Sequence, residues 1–162
     1  MRIWDYRLLP YLPEAQFKGQ LRELVAIMHD WRDKGKTNHL LINRVMYYEK
    51  HHLFSYFVRY ALAYFDRYKK QVDGKIWMEF IGFAELKKGK DYTFDIVQNR
   101  ICSLRLTKNI FDGWHTKEYL RINMSNLAEK HFYGIGKSRI TDEEWQVLLD
   151  GYKAITGEEY KI

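Results

Sequence analysis

In the stretch EAQFKGQLREL, residues 14–24, Gln16, Gln20 and Glu23 fall at helical spacing on one stripe, with Arg22 one step aside. A carboxylate beside a guanidinium at a helix edge can move protons, balance a developing cation or hold a phosphate. The same pair is also the ordinary make-up of a solvated helix edge, where it adds little to stability. Other candidates carry less. GIGKS, residues 134–138, ends like a phosphate-binding loop, but the position five before Gly136 is His131 rather than glycine, no strand pattern precedes it, and Thr141 opens the next helix. It reads as a basic loop able to touch a phosphate backbone through Lys137. His51 and His52 are adjacent, so on a helix they diverge by about 100° and do not form the one-turn pair that grips a metal. His29, His39, His115 and His131 have no ligand spacing, and Cys102 is the lone cysteine, so neither a metal, a cofactor nor a disulfide is expected. No Gly-x-Ser-x-Gly turn points to a serine hydrolase.

The elements that must position these residues follow from apolar spacing. Phe17, Leu21, Leu24, Met28 and Trp31 step by four and three and predict a helix over residues 13–34, ended by KGKTN. Phe54, Phe57, Val58, Ala61 and Phe65 predict a second over 47–70, whose closing cations Arg67, Lys69 and Lys70 suit the negative end of the helix dipole. Leu120, Met124 and Leu127 predict a third over 116–131. Trp145, Leu148, Leu149, Tyr152 and Ile155 predict a fourth over 141–156, opened by a Thr141–Glu144 capping box and stopped by Gly157. After a turn at VDGK, the segments KIWMEFIGF, DYTFDIV and ICSLRL fit strands, irregular extended chain or buried helix turns. The expected fold is mainly α: a compact helical domain with room for a small extended element in the middle.

At 162 residues the chain has the length of one domain and can bury a core without disulfide or metal. No apolar run approaches a membrane span, and Asp5, Arg7, Pro10, Pro13 and Glu14 interrupt what would be a signal-peptide core, so a cytoplasmic protein with no membrane partner is expected. The 27 Lys and Arg against 21 Asp and Glu give a net charge of +6, a weak pointer to a polyanion on its own. With 13 Tyr, 9 Phe and 5 Trp the chain is 17% aromatic, a composition that serves either a tyrosine-rich core or the stacking of bases.

The opening MRIW…LLPYLPEAQFKGQLREL resembles the start of the pyrimidine-dimer DNA glycosylase family, the phage endonuclease V type and its bacterial relatives, in which an early Arg-Ile pair precedes a helix bearing Arg-Glu-Leu. NHLLINRVMYYEKHHLFSY is similar to the family's second segment. The resemblance covers roughly residues 1–70 and fades over 71–162, where HFYGIGKS is only faintly like the family's aromatic-Gly-Lys, DNA-contacting tail. It implies a helical protein whose N-terminal α-amine attacks the sugar C1′ of a damaged nucleotide, displaces the base through a Schiff base and breaks the strand by β-elimination. An α-amine suits that work because its pKa, about 7.7–8.0, leaves a useful neutral fraction at physiological pH.

Residue by residue, the resemblance makes Met1 the nucleophile and Glu23 the catalytic carboxylate. Arg2, Arg22, Gln16 and Lys137 become contacts to the DNA, the partner being a duplex with damaged bases. Two departures stand out. In the phage-type members a small second residue lets the start methionine be removed to expose threonine, whereas Arg2 is too bulky for that, and Met1 falls at the threonine's place. Ala26 stands where the phage type has a further phosphate-binding arginine, which shifts the grip toward Lys18 or the Lys137 loop. A glycosylase with AP lyase activity is the leading expectation; a non-catalytic nucleic-acid-binding protein and an interaction protein with incidental charge are the alternatives.

Overall fold

The computed structural model describes residues 2–84 and 106–161. Five α-helices run through them: α1 (Glu14–Lys34), α2 (Lys50–Tyr68), α3 (Gly74–Ala84), α4 (Lys117–Phe132) and α5 (Asp142–Thr156). Short 3-10 helices lie at Tyr6–Tyr11, Ile42–Tyr47 and Gly136–Ser138, and no strand occurs among the described residues. The fold is mainly α, as the apolar spacing requires. The four expected helices are present, and their ends are set by local chemistry. α1 stops at Gly35, whose φ of 68° is left-handed. α5 opens on the Thr141–Glu144 capping box with both reciprocal bonds formed and closes on Gly157 at φ 74°.

One boundary differs from the spacing argument, and one segment it left open is resolved. The second helix starts at Lys50 rather than near residue 47, because Tyr48 and Glu49 are extended and Ile42–Tyr47 forms a separate 3-10 turn. KIWMEFIGF is helical: Asp73 caps α3 by accepting from the Lys75 amide at 2.7 Å, so Gly74 begins a helix instead of a turn toward extended chain. DYTFDIV and nearly all of ICSLRL lie outside the described residues.

The chain divides into two compact units, one of residues 23–111 with residue 1, the other of residues 2–22 and 112–162. The core of the first joins α2 to α3. Phe57 stacks on Phe80 at 4.0 Å and meets Trp77 edge-on at 4.7 Å, and both phenylalanines are fully buried. His52 accepts from the Phe111 amide at 3.0 Å, holding a phenylalanine backbone at a left-handed φ of 52°. The core of the second unit joins the Tyr6–Tyr11 turn to α4 and α5 through Leu8, Leu9, Leu120, Met124, Leu148 and Tyr152, none of them more than 1% exposed.

At Gly151 the Tyr11 ring packs directly on the α5 backbone: a Cβ there would stand 2.3 Å from Tyr11 Cγ, at the root of the ring where it has no freedom to swing away. Helix propensity alone would make Gly→Ala stabilising by about 1 kcal/mol. Here the overlap wins, and Gly151→Ala is expected to lower stability by about 1–3 kcal/mol, read as a lower melting temperature.

Candidate functional site

Residues 2–5 form neither helix nor sheet, so their buried amides and carbonyls need partners from side chains. The Trp4 and Asp5 amides and the Arg2 and Ile3 carbonyls find them within the second unit. Gln20, on α1, accepts from the Trp4 amide through Oε1 at 2.9 Å and donates through Nε2 to the Arg2 carbonyl at 3.1 Å. The two demands are opposite, which fixes the amide's orientation. Tyr119 donates its hydroxyl to the Ile3 carbonyl. Asn123 accepts from the Asp5 amide at 2.8 Å while its own Nδ2 donates to the Tyr119 carbonyl at 2.8 Å. His115 accepts from the Tyr6 amide through Nδ1 at 3.2 Å, so that nitrogen carries no proton.

Asp5 closes the segment. Its fully buried carboxylate takes the Arg7 guanidinium by two bonds of 2.8 Å and the Arg7 amide by one of 3.0 Å, capping the 3-10 turn. These bonds push the Arg7 guanidinium above its ordinary value, so it stays charged at any accessible pH, and it donates onward to the carbonyls of His115 and Thr116 at 3.0 Å each.

Of the residues singled out from sequence, four belong to this unit. Arg2 is half-buried, its guanidinium 4.7 Å above the Trp4 ring. Arg22 is exposed on α1, and Gly19 one turn earlier leaves room along the helix, since a Cβ there would lie 3.9 Å from Arg22 Nη2. Gln16 is not at an exposed edge: it is 8% exposed, and its Nε2 donates to the Ser138 carbonyl at 3.2 Å. Lys137 is exposed in the loop that Gln16 ties down. That loop is also held by Ser138 donating to the Ile135 carbonyl at 3.0 Å and by the Ile140 amide donating to the Lys130 carbonyl at 3.3 Å. Tyr133 and Ile135 beside it are 82% and 87% exposed. Glu23 follows Arg22 on α1, half-buried, and shares with Gln20 the face of the helix that a spacing of three gives. Met1 lies outside the described residues.

The apolar spacing places Leu21 in the core, yet the buried stripe of α1 is Gln16, Phe17, Gln20, Leu24, Ile27 and Met28, with Leu21 only partly covered. The physical reason is that each glutamine satisfies backbone that has no helix or sheet partner: Gln20 that of Arg2 and Trp4, and Gln16 the Ser138 carbonyl. Gln20 was visible on the polar stripe without a role. Asn123 and Tyr119 carried no signal, since their partners lie 118 and 116 positions away. The histidines have structural partners: His29 pairs with Glu79 at 2.7 Å and His131 stacks on Trp145 at 5.2 Å. Among the described residues no group of three or more His, Cys, Asp or Glu could hold a metal ion.

Gln20→Leu keeps the volume but leaves the Trp4 amide and the Arg2 carbonyl buried without this partner. The expected loss is about 1–3 kcal/mol in denaturant unfolding, with faster hydrogen exchange at the Trp4 amide than in the wild type.

Residues 1–74 match the family model described as pyrimidine dimer DNA glycosylase. No curated protein and no solved structure matches the chain. The matched segment contains the Arg2-Ile3 pair, the whole of α1 with Gln16, Arg22 and Glu23, and α2. The chain is therefore similar to the pyrimidine dimer DNA glycosylase family over residues 1–74, a little under half of its 162 residues.

Proposed function

We propose that this protein is a DNA repair glycosylase with AP lyase activity, acting on pyrimidine dimers or related base lesions through its N-terminal amine. The observation that carries the reading is the family match over residues 1–74, which spans Arg2, Gln16, Arg22 and Glu23 together. The clamp on residues 2–6 supports it, because an amine that must meet one carbon of a sugar gains from a chain start without slack.

In this reading the neutral Met1 α-amine bonds to C1′ and the glycosidic C1′–N bond breaks, its electron pair leaving with the base. Loss of a proton from the amine and opening of the sugar ring give an imine between the amine nitrogen and C1′. Glu23 balances the cationic character at C1′ and shuttles a proton from C2′, and the electrons freed there expel the 3′ phosphate oxygen. Water then hydrolyses the imine and returns the free amine. Glu23 serves as carboxylate throughout, stabilising charge and moving protons. No cofactor or metal takes part.

Arg2 and Arg22 hold phosphates beside the lesion, as guanidinium forks do. Gln16 acts through the loop it ties to Ser138, which presents Lys137 to the backbone with Tyr133 and Ile135 exposed on either side of Gly134. The partner is duplex DNA with damaged bases, and a cytoplasmic location fits it. No helix among the described residues is long and apolar enough to cross a membrane.

Borohydride trapping tests the proposal. With a duplex bearing an abasic site or a cyclobutane dimer, the untagged protein is expected to give a covalent band whose adduct maps to Met1, and acetylating the α-amine abolishes it. An adduct at a lysine would overturn the nucleophile, and binding without any adduct would leave only a nucleic-acid-binding protein. Glu23→Gln should keep DNA affinity within about twofold while strand cleavage falls by about 10²-fold or more. Lys137→Ala should weaken binding across sequences and reduce the slope of log K against log salt by about 0.9, measured by fluorescence anisotropy.

A further inference from the structure

The segment between α1 and α2 presents two leucines to water. Leu40 is 89% exposed and Leu41 85%, side by side at the tip of a turn. The turn beneath them is built to stay folded. The Thr37 amide and hydroxyl both donate to Asn43 Oδ1, at 2.7 and 2.9 Å, and Asn43 Nδ2 donates back to the Thr37 carbonyl at 3.2 Å. The Ile42 and Asn43 amides both donate to the His39 carbonyl, at 3.0 and 3.1 Å. Thr37 is 5% exposed, and Ile42 and Val45 are buried just past the tip. The loop is therefore anchored on its inner side and closed across its base, while its two largest apolar side chains at the tip face outward.

Charge selects what covers them. From Lys36 to Tyr48 there is no Asp or Glu, while Lys36 and Arg44 are exposed cations and His39 flanks the leucines; Lys34, just before, pairs with Asp30 at 2.7 Å. Two leucines offer far less apolar area than a stable protein interface requires. An anchored apolar tip flanked along the chain by exposed cations does match one partner: a nucleic-acid duplex, whose phosphates meet the cations and whose stacked bases accept apolar wedges such as leucine between steps.

We propose that Leu40 and Leu41 form a wedge that inserts at a base step of the bound duplex and unstacks it. The inference rests on the DNA reading above and goes beyond it, assigning distortion of the duplex to a loop distinct from the residues assigned to chemistry. Unstacking is cheapest at a damaged or abasic step, so the wedge also favours lesions over intact DNA.

The test uses the full chain and a duplex containing a tetrahydrofuran abasic analogue, which cannot form an imine, with 2-aminopurine at the flanking base. The wild type is expected to raise 2-aminopurine fluorescence on binding. L40S/L41S should bind about tenfold more weakly and give no rise, and L40M/L41M should restore it. Both residues are exposed, so an unchanged melting temperature shows that the serine variant folds. Equal unstacking by wild type and L40S/L41S would overturn the wedge. So would loss of binding to phosphatidylglycerol vesicles, or of self-association, in the serine variant with the DNA signal intact. If the wild type gives no rise yet is trapped by borohydride on a natural abasic duplex, the wedge fails and the enzyme reading stands. If it neither binds nor is trapped, both fail.

Discussion

A chain segment that joins neither helix nor sheet must still satisfy its buried amides and carbonyls, and at the start of this chain side chains pair with the amides of Trp4, Asp5 and Tyr6 and the carbonyls of Arg2 and Ile3. Gln20 reads two backbone groups at once, Asn123 and Tyr119 one each, and His115 another. The second unit depends on this arrangement. It joins the first residues of the protein to α4, explains why Gln20 occupies the buried face of α1, and requires His115 to keep a free lone pair on Nδ1. Each of these bonds is worth only about 1 kcal/mol net, but leaving any one group unpaired costs more than its bond returns, so the set behaves as a unit.

α1 combines two duties that compete for its surface. Phe17, Leu24, Ile27 and Met28 supply its apolar burial, while Gln16 and Gln20 are buried as polar connectors, one to the loop at Ser138 and one to the chain start. Arg22 and Glu23 fall between these stripes, where one is exposed and the other half-covered. Such an intermediate setting suits the role proposed for Glu23, meeting a cationic sugar. Full burial would raise the cost of its charge, and full exposure would let water screen it.

Two loops share a design. Residues 133–139 and 36–44 are each closed by side-chain and backbone hydrogen bonds, and each carries exposed apolar side chains and exposed cations. Ordering a loop in the free protein means that little conformational entropy is lost when a partner arrives. Exposed leucine, isoleucine and tyrosine are unfavourable in water, and here they stand beside lysine and arginine. That combination suits a partner that is charged outside and apolar within.

Helix periodicity is a local property, and the four expected helices, the Thr141–Glu144 cap and the Gly157 stop follow from residues a few positions apart, so the sequence alone determined them. The Arg-Ile and Arg-Glu-Leu residues likewise carried the resemblance to the family, because they are contiguous words. KIWMEFIGF was ambiguous by itself, since nine mostly apolar residues suit a strand or a buried helix, and Asp73 as a cap together with the Phe57–Phe80 stack settles it as helix. Burial of Gln16 and Gln20 and the parts played by Tyr119 and Asn123 were decided only by tertiary structure. A buried amide is stable only where a distant backbone group needs it, and no helical or strand spacing records a partner 16 to 122 residues away.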